Sequence, residues 1–223
     1  MEKLKNNWWK WATGLLLFYV VVGGLLLDVP RLPILNETIR GLYFHVPMWF
    51  GMMLLLFISF IFSIRYIHQG DLAFDDKAAA FASVGIVFGL LGMLTGMIWA
   101  QFTWGIPWSN DPKQNASAIV LFIYLAYGVV RNSFEDEQRR ARISAVYNTL
   151  AFAILIPLLI ILPRFTDSLH PGSGGNPGFN AYDLDHRLRW VFYPAVVGWF
   201  LLGMWIAKLI ANFRFLKRAS EEI

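Results

Sequence analysis

Six long apolar runs separated by shorter polar segments set the pattern of this chain. The runs approach the roughly 17 to 25 residues that a membrane-spanning helix needs, and charged side chains are missing from their interiors. The pattern therefore predicts an all-α membrane protein, a bundle of six transmembrane helices that forms one integral membrane domain over residues 1–223. The predicted spans cover about residues 11–27, 43–64, 81–103, 116–130, 145–162 and 190–207.

The composition agrees with a membrane protein. Hydrophobic residues make up 57% of the chain and charged residues 15%, and the mean hydropathy is +0.50, which is too apolar for a soluble domain of this length. Cysteine is absent, which excludes disulfides, thiolate catalysis, iron–sulfur ligation and c-type haem attachment to this chain. The sequence also lacks a P-loop, a dinucleotide-binding fingerprint and a zinc-protease motif.

The basic residues lie unevenly on the two sides of the predicted bundle. Thirteen of the 19 flank the runs on the side of the two termini, and the other six are Arg31, Arg40, Lys113, Arg164, Arg187 and Arg189. Lysine and arginine concentrate on the cytoplasmic side of membrane proteins, so both termini are predicted to be cytoplasmic. This arrangement indicates membrane topology and not a nucleic-acid partner.

The segment of residues 104–113 differs from an ordinary connecting loop. It combines two tryptophans with turn-forming and charged residues between two apolar runs: Trp104, Gly105, Pro107, Trp108, Asp111 and Lys113. The glycine and the proline disfavour a regular helix, so we expect a loop or a short interfacial helix on the outer face of the membrane. Aromatic belts at membrane interfaces explain most of the other tryptophans, but they do not explain Trp99 beside this segment.

The same topology sorts the four histidines. It places His45, His170 and His186 on the outer face with residues 104–113, and His68 on the other face. Two imidazoles from different loops could bind both axial positions of a haem iron, while tryptophan rings stack on the porphyrin and basic side chains pair with its propionates. From the residues alone haem is one candidate planar ligand beside quinones and lipid headgroups, and a single interfacial histidine is more often a hydrogen-bonding anchor.

Several of these motifs resemble a known family. Residues 95–99 (Thr-Gly-Met-Ile-Trp), 104–108 (Trp-Gly-Ile-Pro-Trp) and 111–113 (Asp-Pro-Lys) resemble the tryptophan-rich WWD signature of haem-handling proteins in cytochrome c biogenesis. Residues 40–47, which contain His45, and residues 168–170 resemble the two histidine segments of the CcmC branch. The resemblance covers about residues 40–205. Asn110 departs from the pattern, because the family usually has an aromatic residue there.

The resemblance implies a protein of the bacterial inner membrane that holds haem b at the outer face. His45 and His170 would be the axial ligands, with His186 as a less favoured alternative. The platform would consist of Trp99, Trp104, Gly105, Trp108 and Asp111, and the possible propionate partners would be Arg40 and Lys113. Relatives of this kind pass haem to a periplasmic haem chaperone and work with ATP-binding-cassette subunits. Whether the chain catalyses the bond between haem and chaperone, a lyase-like role, or only presents haem is left open.

Other functions remain as alternatives to haem delivery. A cytochrome c synthase subunit of the same superfamily would attach haem directly to the apocytochrome, but it is expected to be larger and to carry further histidines inside its helices. A subunit that transports haem or another solute through the bundle would show ionisable groups within its spans, which these runs lack. A purely structural subunit would tolerate replacement of His45 or Trp104.

Overall fold

The computed structural model describes residues 7–170 and 184–221. Within these residues no strand occurs, and six helices are long and apolar enough to cross a membrane. The helices are α1 (Trp8–Leu26), α2 (Leu42–Gln69), α3 (Leu72–Trp104), α4 (Pro112–Asn132), α5 (Glu137–Ile156) and α6 (His186–Glu221). The predicted all-α bundle of six membrane helices is confirmed, and the chain is a multi-pass membrane protein.

The helices extend beyond the apolar runs, because polar residues at their ends are helical too. α3 begins at Leu72 and not near residue 81, since the side chain of Asp71 accepts a hydrogen bond from the Ala73 N–H and caps the helix. α2 ends at Gln69, because the next residue, Gly70, has φ of 71°, the left-handed conformation that terminates a helix. Hydropathy therefore locates the membrane-embedded part of each helix but not its ends.

The helices alternate in direction, so the bundle has two ends. Each end brings together different segments of the chain. At the termini end, the ring of Trp9 on α1 lies 6.1 Å from the ring of Trp205 on α6. At the opposite end, which we call the cavity end, Arg40 donates hydrogen bonds to the last carbonyls of α1, those of Gly24 (2.8 Å) and Leu27 (2.7 Å). A short 3₁₀ helix, Asn36–Gly41, leads into α2 at this end.

The larger cluster of buried core residues centres on α2 and α3 and also includes residues of α4, α5 and α6. Met52 and Leu56 of α2 are fully buried there, and Phe88 of α3 packs with them. A Cβ added at Gly89 would lie 2.6 Å from the Met52 sulfur, so a larger residue there would force the Met52 side chain out of its packed position between the two helices. Small residues that permit such close packing are typical of membrane helix interfaces, where lipid gives no hydrophobic driving force.

A buried ion pair near the termini end corrects one sequence prediction. Arg131 is one of the thirteen basic residues that the sequence places in polar segments beside the runs, but it lies in the last turn of α4 and is only 8% exposed. Its two guanidinium nitrogens donate to both carboxylate oxygens of Asp75 on α3, at 2.7 and 2.6 Å. The pair satisfies both charges within the helix packing, which hydropathy alone does not reveal.

Candidate functional site

A cavity of about 780 Å³ opens at the cavity end of the bundle. Its wall is formed by α2, α3, the start of α4, the segment that follows α5, and residues just before α2 and α6 (32–39 and Leu184). The volume lies within the roughly 300 to 1,000 Å³ of typical small-molecule and cofactor sites. Most lining side chains are apolar or aromatic, and the polar ones include two histidines and two cations: His45, His170, Lys113 and Arg164.

His45 lies in the first turns of α2 and is buried. Its Nδ1 is 3.0 Å from the Gly92 carbonyl oxygen and 3.3 Å from the Thr95 hydroxyl oxygen, both on α3. A carbonyl only accepts hydrogen bonds, so Nδ1 carries the proton and Nε2 carries the lone pair. Such a hydrogen bond is the usual second contact of a histidine that binds metal through Nε2.

In the turn of α2 that carries His45, a hydrogen bond from α6 replaces one that the helix backbone cannot form. Pro47 lies inside the helix and has no N–H for the carbonyl of Tyr43, four residues earlier. The indole N–H of Trp199 on α6 donates to this carbonyl instead, at 3.3 Å. The contact fixes the start of α2 against α6, and with it the backbone next to His45.

A glycine on α3 makes room for the His45 ring. A Cβ added at Gly96 would lie 2.5 Å from Cε1 of His45, closer than any real contact. Two indoles meet the same imidazole in T-shaped orientations, Trp99 at 5.8 Å and Trp49 at 6.4 Å between ring centroids. Gly92 and Gly96 are spaced as in a small-xxx-small motif, a signal that could have located this contact in the sequence.

We expect Gly96→Ala to displace the His45 imidazole and to weaken binding of a ligand in the cavity. Overpacking of this kind typically costs about 1–3 kcal/mol and shifts neighbouring side chains. The matched control is Gly14→Ala on α1, where an added Cβ has no atom within 4 Å. Titration of both purified variants with ferric haem measures the difference. Equal affinities would contradict the contact between α3 and His45.

Asp111 holds the second histidine in the cavity wall. Nδ1 of His170 is 3.0 Å from Oδ1 of Asp111, and the same carboxylate accepts hydrogen bonds from the hydroxyl of Ser168 and the N–H of Leu169. Asp111 also caps α4, because it accepts from the Lys113 N–H at 2.9 Å. One buried carboxylate therefore ties residues 168–170 to the start of α4, and it orients His170 so that Nε2 carries the lone pair.

The electrostatics of this pair favour a neutral imidazole beside a charged carboxylate. Burial lowers the pKa of His170 below its ordinary 6.5, and the nearby charge of Asp111 only partly offsets this effect. Burial would raise the pKa of Asp111, but hydrogen bonds from Leu169 and Ser168 and the neighbouring His170 lower it below 3.8 overall. At neutral pH His170 is thus a base whose second nitrogen can bind a metal.

Comparison with known proteins identifies the family. The family described as heme exporter protein C, CcmC, matches residues 1–222 of the chain. The chain belongs to the CcmC family. The resemblance found in the sequence is thereby confirmed, and CcmC is a family of cytochrome c maturation.

Individual CcmC relatives are distant. The heme exporter protein C of Rhodobacter capsulatus is 30% identical over 181 residues, which are 73% of this chain and 71% of that protein. The protein from Paracoccus denitrificans is 28% identical over 75% of this chain and 69% of its own length. For Escherichia coli K12 the identity is 25%, over 62% of this chain and 56% of that protein. The matches thus span between about half and about seven tenths of the relatives' lengths.

The structure brings together some of the predicted CcmC site residues. Both histidines, Trp99, Trp104 and Lys113 line the cavity, and the ring of Trp104 lies 4.9 Å from that of His170 in an edge-on orientation. Sequence reasoning missed Trp49 and Arg164, which line it as well. It also missed the short π-helix Pro157–Ile161 after α5, which contributes Leu159 and Ile160 to the wall.

Other predicted residues lie outside this wall. Gly105, with φ of 80°, ends α3, and Trp108 lies in the loop that follows. Arg40 donates to the carbonyls at the end of α1, which is a helix-capping role. The side chain of His186 is 80% exposed and lies 3.5 Å from Asp185 at the start of α6. Asn110 is exposed with φ of 56°, a left-handed conformation that asparagine tolerates better than an aromatic residue.

Proposed function

We propose that this chain binds haem b as its cargo at the external face of the inner membrane and delivers it to a periplasmic haem chaperone. His45 and His170 are the proposed axial ligands. The observation that carries the proposal is the matched setting of these two histidines. Each lines the same cavity, and the Nδ1 of each contacts an oxygen that only accepts hydrogen bonds, the Gly92 carbonyl or the Asp111 carboxylate.

The rest of the cavity fits a haem. Porphyrin is a flat apolar ring, and the wall offers indole rings and flexible methionines, including Trp49, Trp99, Trp104, Met93 and Met97. Haem propionates are anionic, and Lys113 and Arg164 supply positive charge in the same wall. We therefore assign the propionates to these two cations, and we assign Arg40 the role of capping α1.

The uneven distribution of basic residues supports an external position for the cavity. In the sequence, six of the 19 lysines and arginines flank the apolar runs on the side of the cavity, and the other thirteen flank them on the side of the termini. By the positive-inside rule the termini end is cytoplasmic, so the cavity faces the periplasm. A soluble chaperone would then reach the loops around the cavity, where Ile34 and Phe165 expose most of their side chains.

The family name supports the proposal that this chain has partners in the same membrane. Heme exporter protein C is part of a maturation system, so we propose that this chain assembles with other Ccm components, including ATP-binding-cassette subunits. Its own sequence has no nucleotide-binding motif, and these subunits would supply ATP hydrolysis.

The experiment that tests delivery is a transfer assay with the full chain. The haem-loaded protein, reconstituted with its membrane partners in liposomes, is mixed with the haem-free soluble domain of the chaperone. We expect haem to appear on the chaperone and to do so much more slowly from the His170→Ala variant than from the His186→Ala control. A chaperone that stays haem-free beside a loaded wild-type protein would contradict delivery.

A further inference from the structure

A second cavity, of about 340 Å³, lies at the termini end of the bundle, far along the helices from the histidines. It is formed by the start of α3, the end of α4, the start of α5 and the end of α6. Five of its eight lining residues are cationic: Arg131, Arg140, Arg214, Lys217 and Arg218. This basic cavity has no part in the haem site described above.

Three of its four arginines already have a carboxylate. Arg131 pairs with Asp75, Arg140 with Glu137 at 2.8 Å, and Arg218 with Asp76. Among the described residues no carboxylate lies within ion-pair distance of the fourth, Arg214, which is only partly exposed. A guanidinium beside other guanidiniums and partly shielded from water is unfavourable unless an anion joins them.

The geometry points to a binding site for a phosphate group, and we propose that the basic cavity is one. Arginine forks match phosphate oxygens in pairs, which makes a cluster of guanidiniums a typical phosphate site. Arg214, Lys217 and Arg218 follow one another at positions i, i+3 and i+4, so α6 presents all three on one face. The other elements add Arg131 and Arg140 from across the cavity.

An anionic phospholipid headgroup and soluble phosphate share this chemistry. The surroundings include an apolar side chain that acyl chains could contact, because Phe213, next to Arg214 in sequence, is 69% exposed. Basic pockets between membrane helices on the cytoplasmic side commonly bind anionic headgroups. A binding experiment can distinguish a lipid headgroup from soluble phosphate as the source of the phosphate group.

The test uses the delipidated full-length protein in detergent. Native mass spectrometry measures retention of added phosphatidylglycerol against phosphatidylcholine. Thermal unfolding measures the effect of inorganic phosphate against chloride at equal ionic strength. Whichever source is correct, we expect binding to fall about tenfold or more from wild type to Arg214→Gln, and to fall less in Arg214→Lys, which keeps the charge but loses the fork. The matched control is Arg139→Gln, an exposed arginine at the same end that rests on the Phe134 ring.

Each outcome decides the proposal. Selective retention of phosphatidylglycerol that Arg214→Gln removes would establish a lipid headgroup site. A rise in Tm with inorganic phosphate alone, lost in the same variant, would establish a soluble phosphate site. If the folded wild type binds neither probe, or if Arg139→Gln lowers binding as much as Arg214→Gln, the proposal is overturned. Neither readout involves haem, so the result is independent of the proposed delivery function.

Discussion

Replacing Asp111 with alanine is expected to weaken haem binding by about 10- to 100-fold, the usual effect of removing the partner that orients a metal-binding histidine. The carboxylate of Asp111 accepts hydrogen bonds from four groups: the N–H of Lys113, the hydroxyl of Ser168, the N–H of Leu169 and Nδ1 of His170. Without it, residues 168–170 lose their attachment to α4, and the His170 ring loses the contact that sets its tautomer. Haem titration of the purified variant measures the loss.

A matched control separates this effect from the loss of a helix cap. Asp136 caps α5 in the same way, because it accepts from the Arg139 N–H at 2.7 Å, but it lies at the termini end. Removing either cap costs about 1 kcal/mol of stability. We therefore expect both Asp111→Ala and Asp136→Ala to lower Tm, Asp111→Ala more because it also loses the bonds to residues 168–170, and only Asp111→Ala to lower haem affinity. Equal haem affinities would show that Asp111 acts as a cap alone.

The second large effect is expected from the histidines themselves. His45→Ala and His170→Ala should each remove one axial ligand, convert low-spin haem to a high-spin form, and weaken binding at least as much as Asp111→Ala. Imidazole added to the corresponding glycine variants should restore the low-spin spectrum, because the small ligand can occupy the vacated space.

Two other histidines serve as controls for this prediction. His68 lies exposed near the end of α2 at the termini end, and His186 lies exposed at the start of α6. Neither lines the cavity, so His68→Ala and His186→Ala should leave the haem spectrum unchanged. If His186→Ala converts the haem to a high-spin form and weakens its binding, the second ligand has been assigned to the wrong histidine.

The sequence predicted the bundle because hydropathy reports directly on which segments the bilayer can accommodate. Hydropathy did not predict the polar ends of the helices, such as the start of α3 that Asp71 caps, since local hydrogen bonds and not lipid stabilise them. Arg131 escaped it for a different reason. A charge at the end of an apolar run looks solvated, and only the packing of α3 beside α4 shows that Asp75 pairs with it.

The candidate site was predictable in part. The aromatic and histidine motifs singled out His45, His170 and Trp104, but their roles as ligands and platform stay predictions. The contact between Asp111 and His170 joins residues 59 positions apart, and no periodicity within a helix encodes such a pair. Arg164 looked like a simple flanking charge, although it lines the cavity. The sequence pattern alone could not assign a role to side chains that act only where distant segments of the chain meet.

The central claim is that His45 and His170 bind one haem iron together. The most direct measurement is electron paramagnetic resonance and near-infrared magnetic circular dichroism of the haem-loaded wild-type protein, because these spectra identify both axial ligands of a ferric haem. We predict a low-spin signal with two imidazole ligands that disappears in the His45→Ala, His170→Ala double variant. A high-spin, five-coordinate haem in the wild type, or a bis-imidazole signal that persists in the double variant, would contradict it.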